Sequence, residues 1–196
     1  MFCLETFFPK WRGFTIHESS PVTGRGPNRR LVAEAPGYLP TQYCPDVPSG
    51  HSVAGVRCEN MEKLSFENES VDLHITQDVF EHLFDPVAAF REIARTLRPG
   101  GAHIFTTPLE NKEAPTQSCA RREADGTLVQ LIEPARYHAN PVSSKGSLVT
   151  MLWGYDITGY VFDATGLFTE IIFLDNLALG IRAEFIEVLI TRKPSG

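Results

Sequence analysis

Two histidines and the acids near them carry most of the chemistry open to this chain. His82 directly follows Glu81 and lies just after Gln77-Asp78, and His138 stands in the run Arg136-Tyr137-His138-Ala139-Asn140-Pro141. An imidazole titrates near neutral pH, so His82 is a candidate for a place beside a ligand. His82 has two readings, a local hydrogen bond that caps the loop or a place beside a ligand. It acts as a base only if it faces the reacting group. His138 either orders its loop or binds a substrate, and Tyr137 and Trp153 either pack or line a pocket. Glu81 reads as a partner of Arg91 or a cap of the short helix. Glu18 differs, because an acid at the end of a central strand is costly to bury unless it meets a ligand or a donor.

Positioning these groups falls to a unit of 37 residues, VDLHITQDVFEHLFDPVAAFREIARTLRPGGAHIFTT, from Val71 to Thr107. Val71 to Thr76 alternates apolar and polar residues and stops at Gln77-Asp78, as a strand does where it meets a ligand crevice. Asp85 is a good N-cap followed by Pro86 at the first helical position, and Val87, Phe90, Ile93, Ala94 and Leu97 recur at helical spacing. Pro99-Gly100-Gly101 ends the helix, and Ala102 to Thr107 is apolar enough for a buried parallel strand. The unit is a βαβ crossover, right-handed as nearly all such connections are.

Bulk properties narrow the setting. The chain has 196 residues, 42% hydrophobic and 21% charged, which fits one globular domain with a sizeable core. Residues 1–12 read as a lead-in and residues 110–156 as an irregular insertion. A net charge of -6 argues against a broad surface for nucleic acid or anionic membrane. No secretory signal and no apolar run of membrane-spanning length is evident, so a cytoplasmic protein with a small-molecule substrate is expected. Cys3, Cys44, Cys58 and Cys119 form no C-x-x-C pair, and free, inert thiols are the expectation.

The segment with Glu81-His82, then Glu92-Ile93-Ala94-Arg95 through Leu97-Arg98-Pro99-Gly100-Gly101, resembles the middle of the class I S-adenosylmethionine-dependent methyltransferases, in particular the type-11-like group. The resemblance runs from about Gly13 to Lys193 and is strongest from Asn60 to Pro108. It implies S-adenosylmethionine as cofactor, with a glycine-rich turn after the first strand. Here Gly13 to Gly26 reads as a strand entering a small-residue turn, and Pro27 to Ala35 as the following helix. Setting Glu18 on the family's acidic position puts Ser20 and Val22 on the first two glycines and Gly24 on the third. Only the third glycine's packing role is plainly kept, although Ser20 adds a hydroxyl.

An acid that binds the ribose hydroxyls is expected about 20 residues after that turn. Tyr38 to Tyr43 is the matching strand, and Gln42 stands at its end with Tyr43 beside it, Asp46 being the nearest acid. An amide forgoes the charge-assisted bond, so weaker cofactor retention follows. The adenine-contacting turn corresponds to Glu59 to Phe66, with Asn60 as donor and acceptor and Met61 over the ring face. Gln77 and Asp78 complete the cofactor side.

Beyond Pro108 the resemblance places the acceptor pocket in the irregular region, where His138 and Tyr137 join His82 as catalytic candidates. Ile157 to Thr165 reads as a helix ended by Gly166, and Phe168 to Leu174 and Ala183 to Thr191 as strands. The expected architecture is a doubly wound, Rossmann-like α/β domain with a seven-stranded, mainly parallel sheet whose last strand is antiparallel. The implied activity is in-line methyl transfer to a small acceptor, which needs neither a metal nor a covalent nucleophile. The rival reading, motivated by the altered glycines and the missing ribose acid, is a catalytically silent binding or regulatory subunit. A dinucleotide oxidoreductase is disfavoured because Val22 obstructs the close backbone approach that a pyrophosphate needs.

Overall fold

The computed structural model describes residues 1–22, 26–140 and 143–196. Its centre is an eight-stranded sheet made of β1 (Ile16–Ser19), β2 (Tyr38–Gln42), β3 (Ser52–Val53), β4 (Val56–Cys58), β5 (Val71–Gln77) and β6 (Leu97–Thr106), with β13 (Thr169–Phe173) and β14 (Glu187–Arg192). The spatial order is β13-β14-β6-β5-β1-β2-β4-β3. Neighbours among β4, β2, β1, β5 and β6 run parallel, while β14 is antiparallel to β6 and to β13. The antiparallel last strand matches the sequence reading. The eighth strand is the two-residue β3, which folds back on β4 as an edge hairpin that turn-rich sequence gave no sign of.

Helices cover both faces. The helices α1 (Phe2–Phe7) and α2 (Gly26–Glu34) lie on one side, where Leu4, Phe8, Trp11, Leu31 and Ala35 pack against Ile16, Leu73, Ile75, Ala102, Ile104 and Ile190. The lead-in therefore contributes to the core. On the other side α3 (Pro86–Thr96) and α4 (Ile157–Thr165) bury Phe90, Ile93, Ile157 and Val161 against Phe105, Leu189, Met61 and Leu64. The side chain of Asp85 accepts from the Ala88 amide and Pro86 opens the helix, as its sequence requires. The helix stops at Thr96, three residues before Pro99, and β6 starts at Leu97 rather than Ala102. Leu97 pairs with Val71, after which the register shifts before Leu73 meets Ala102.

Period-two alternation puts a second feature on the α3 face. His17, His74 and His103 occupy matching positions of β1, β5 and β6 and are fully buried. The Nδ1 atoms of His17 and His74 lie 2.8 Å apart, and the outer nitrogens reach Thr41, Thr96 and Thr76. Burial, aided by Arg57, holds His17 down at about 3, and burial, aided by His17, does the same for His103. His74 is pushed well below its usual range by burial and by its two histidine neighbours.

The irregular region forms three small antiparallel pairs: β7 (Gln117–Ser118) with β12 (Met151–Leu152), β8 (Ala120–Arg122) with β9 (Leu128–Gln130), and β10 (Tyr137–Asn140) with β11 (Ser143–Leu148). One expectation fails outright: Cys44 and Cys58 are joined in a disulfide, while Cys3 and Cys119 remain thiols. Their pairing depends on β2 and β4 lying side by side, which spacing alone does not reveal. Among the described residues no helix is long and apolar enough to cross a membrane.

Candidate active site

The strand order reverses between β1 and β5: β1 connects outward through α2 to β2, while β5 lies on the opposite flank. Open α/β sheets bind ligands outside the carboxyl ends of the strands at such a switch point. Glu18 of β1, Gln42 of β2, Gln77 of β5 and Asp78 just after it are gathered there.

Glu18 is 1% exposed. Its two oxygens accept from the Tyr38 hydroxyl at 2.5 Å and the Gln77 amide at 2.9 Å, and Asn28 of α2 donates to the same Tyr38 hydroxyl. Burial raises the Glu18 pKa, and the two donors oppose that rise by stabilising the carboxylate. Tyr38 and Asn28 were not recognisable from sequence, because one begins a strand and the other sits in the first turn of a helix. The only signal for Tyr38 was its 20-residue offset from the buried acid it serves.

Ser20 follows β1 with a φ of 55°, a left-handed conformation that glycine adopts freely and serine rarely, and its amide donates to the Thr41 carbonyl. Ser20 thus takes a backbone conformation for which glycine is the usual residue. Val22 is exposed, and Gly24 lies outside the described residues. Gln42 is half-buried and its amide reaches the Pro21 carbonyl at 3.4 Å, joining the ends of β1 and β2. Tyr43 beside it is exposed, as is Asp46.

At the end of β4 the Asn60 side chain accepts from the Glu62 amide, and its backbone amide donates to Ser49. Asn60 is therefore partly committed to shaping its own turn. Met61 corrects its expectation: it is 3% exposed and packs in the core with Leu64 and Phe90, so the side chain is not a free cover for a ring. Asp78, at a φ of 51°, accepts from Thr106 and closes the end of β5 against β6.

A second polar group adjoins this crevice. The 3-10 turn Phe80–His82 follows β5 and is held by Thr150, which donates to the carbonyls of Glu81 and Leu83. Glu81, read as a partner of Arg91 or a helix cap, is instead buried, with one oxygen accepting from Thr107 at 3.0 Å. Its other oxygen, Oε1, is buried and makes no hydrogen bond with the described residues. His82 Nε2 lies 3.7 Å from Oε1 and His138 Nδ1 lies 3.6 Å from it. Burial, with the charge of Asp78 adding to it, pushes the Glu81 carboxyl up to about 7.

His82 Nδ1 is 2.8 Å from the Leu148 carbonyl. A carbonyl only accepts, so Nδ1 carries the proton and Nε2 keeps its lone pair toward the cluster. Burial lowers the His82 pKa, so the neutral ring prevails at neutral pH. Tyr137 adjoins His138 on β10, and successive strand residues point to opposite faces. It is 59% exposed and turned away from the cluster that His138 joins. Trp153 is fully buried in the core.

A doubly wound sheet of this order, antiparallel last strand included, with its polar residues at the switch point, defines the Rossmann-like fold of the class I S-adenosylmethionine-dependent methyltransferases. Comparison with known proteins bears this out. Residues 41–105 match the methyltransferase domain family. A crystal structure of an S-adenosylmethionine-dependent methyltransferase from Mesorhizobium loti superposes with a TM-score of 0.57 at 18% identity, covering 97% of this chain and 94% of that one. A probable S-adenosylmethionine-dependent methyltransferase of Mycolicibacterium smegmatis is 31% identical over 88 residues, and a ubiquinone biosynthesis O-methyltransferase of Parvibaculum lavamentivorans is 37% identical over 51. Those stretches span 42% and 26% of this chain but only 34% and 20% of the relatives' own lengths. The chain has the fold of the class I methyltransferases.

Proposed function

We propose that this chain binds S-adenosylmethionine in the crevice at β1, β2, β4 and β5 and methylates a small acceptor held against His82 and His138. The observation that carries this reading is the adjacency of two polar groups. One centres on Glu18 at the switch point, and the other on Glu81 immediately beyond Asp78.

The residues fit the cofactor in chemical type. Glu18 gives a buried negative centre at the end of β1, and Gln42, Tyr43 and Asn60 offer amide and hydroxyl groups at the ends of β2 and β4, where a diol and a purine are to be met. The cofactor supplies a methyl group already activated by its sulfonium charge. The protein's contribution is then orientation, exclusion of water and disposal of one proton. The Glu18, Tyr38, Gln77 and Asn28 chain fixes the crevice wall before any ligand arrives. For an acceptor hydroxyl or ammonium, His82 Nε2 takes the proton so that a lone pair on oxygen or nitrogen is free to attack, and the Glu81 carboxylate stabilises the imidazolium formed.

Turnover is tested by following S-adenosylhomocysteine release over a panel of phenolic, alcoholic and amine acceptors, with His82→Ala beside the parent chain. A loss of about 100-fold or more in kcat for the variant, with cofactor affinity kept, is expected of a general base. Activity equal in both would remove His82 from that role. The silent-subunit reading draws on Gln42 in place of a ribose acid, and cofactor binding without turnover over the whole panel would favour it.

A further inference from the structure

The Glu81 group is built like an incomplete metal site. Its carboxylate is 2% exposed, and among the described residues Oε1 has no hydrogen-bond partner although two imidazoles face it. A buried carboxylate oxygen with no partner is costly and calls for a compensating positive group. Neither imidazole supplies one at its present distance. At 3.6 and 3.7 Å the rings stand beyond hydrogen-bond reach of Oε1.

Those separations suit an intervening cation. Around a tetrahedral ion with bonds of about 2.0–2.1 Å, neighbouring donors lie roughly 3.3–3.4 Å apart. Three donor atoms, one each from Glu81, His82 and His138, all fall within 4.8 Å of one another. Small rotamer adjustments of the two half-exposed rings close the difference. The outer contacts also have the form that metal ligands take. His82 donates from Nδ1 to the Leu148 carbonyl, which fixes the tautomer with Nε2 free to coordinate, and Thr107 orients the carboxylate through its other oxygen.

We propose that Glu81, His82 and His138 form a three-ligand site for a divalent transition-metal ion of the zinc class. Two imidazoles and one carboxylate are the borderline donors such ions prefer over magnesium or calcium, which favour oxygen sets. Three protein ligands leave a further position, and the partial exposure of His82 and His138 opens it to solvent. In the proposed methyl transfer, a reading on which this last role rests, that position takes the acceptor's oxygen and favours its ionised form, so that with the ion bound His82 Nε2 serves as a ligand and the ion replaces it as the group that activates the acceptor.

Titration of the metal-free full chain with cobalt(II), followed by visible absorption, tests the site. One ion per chain with the intense bands of four- or five-coordinate cobalt, displaced by zinc, is the expected result. His138→Ala, on a partly exposed hairpin, weakens binding about 100-fold, and Glu81→Gln does so about tenfold or more, circular dichroism melts confirming that each variant folds. Absorption no stronger than that of aqueous cobalt overturns the proposal, as does unchanged binding by His138→Ala. A near-ultraviolet sulfur charge-transfer band also overturns it, by assigning the ion to Cys3 or Cys119. S-adenosylhomocysteine binding to the same metal-free sample reports on the transferase reading separately.

Discussion

Tyr38 shows how much a single side chain carries here. Its hydroxyl donates to Glu18 and accepts from Asn28, so it links β1, β2 and α2 at the point where the sheet reverses. Burial and the Glu18 carboxylate push its own ionisation far above the ordinary range, which keeps it a donor throughout the accessible pH range. Tyr38→Phe leaves Glu18 with Gln77 as its one remaining donor among the contacts described. The variant is expected to lose about 1–3 kcal/mol in chemical denaturation and roughly tenfold in affinity for S-adenosylhomocysteine. An unchanged affinity in a folded variant would show that the crevice wall is not set by this chain of bonds. At Glu81 the folded pKa lies above the unfolded value, so the stability it contributes is present below pH 4.5 and is lost as pH rises toward 7. Glu81→Gln removes that loss, and the difference in denaturation midpoint between parent and variant should grow from pH 5 to pH 8.

At the level of elements, the crossover from β5 through α3 to β6 was legible because each of its signals is local. Asp85 and Pro86 mark the start, Phe90 and Ile93 give the buried stripe, and Pro99-Gly100-Gly101 follows in the first residues of β6. Asp85→Ala should lower stability by about 1 kcal/mol through loss of the cap to Ala88, measurable by urea denaturation. Gly101 is more demanding, since a Cβ there would sit 2.9 Å from the carbonyl oxygens of both Arg98 and Asp72. Gly101→Ala is expected to cost at least about 2 kcal/mol by forcing β5 and β6 apart at the register shift. A cost below about 0.5 kcal/mol would mean that the shift absorbs the methyl group. What sequence did not disclose is non-local and short. The strand Val56–Cys58 has three residues, and its pairing with β2 brings Cys58 to Cys44. Glu81 and His138 meet only because the β10 hairpin folds back over the turn after β5, a contact that no period or motif encodes.

The whole molecule carries three uncharged histidines across its central strands, and this makes its stability depend on pH. Their folded pKa values lie below the unfolded ones, so their contribution is fully present above about pH 6.5 and is lost as pH falls toward 3. His82 adds in the same sense, while Glu81 and Glu18, both raised, act in the opposite one. The histidines outnumber the two acids, and each uncompensated proton is worth about 1.36 kcal/mol per pH unit. Stability measured by urea denaturation should therefore fall steeply from pH 6.5 to pH 5, with a shallower slope in His17→Asn. A flat profile over that range would contradict neutral burial of the ladder.

Sheet order, the Glu18 network and the polar group beyond Asp78 converge on one claim, that the crevice at the carboxyl ends of β1 and β5 binds the cofactor of a methyltransferase. Calorimetric titration of the purified chain with S-adenosylhomocysteine tests it most directly, with NAD as control ligand and Glu18→Gln as control protein. The account predicts micromolar binding at one site per chain, at least tenfold weaker in the variant, and none with NAD. Absence of binding to the parent chain, or equal binding by parent and variant, would contradict it.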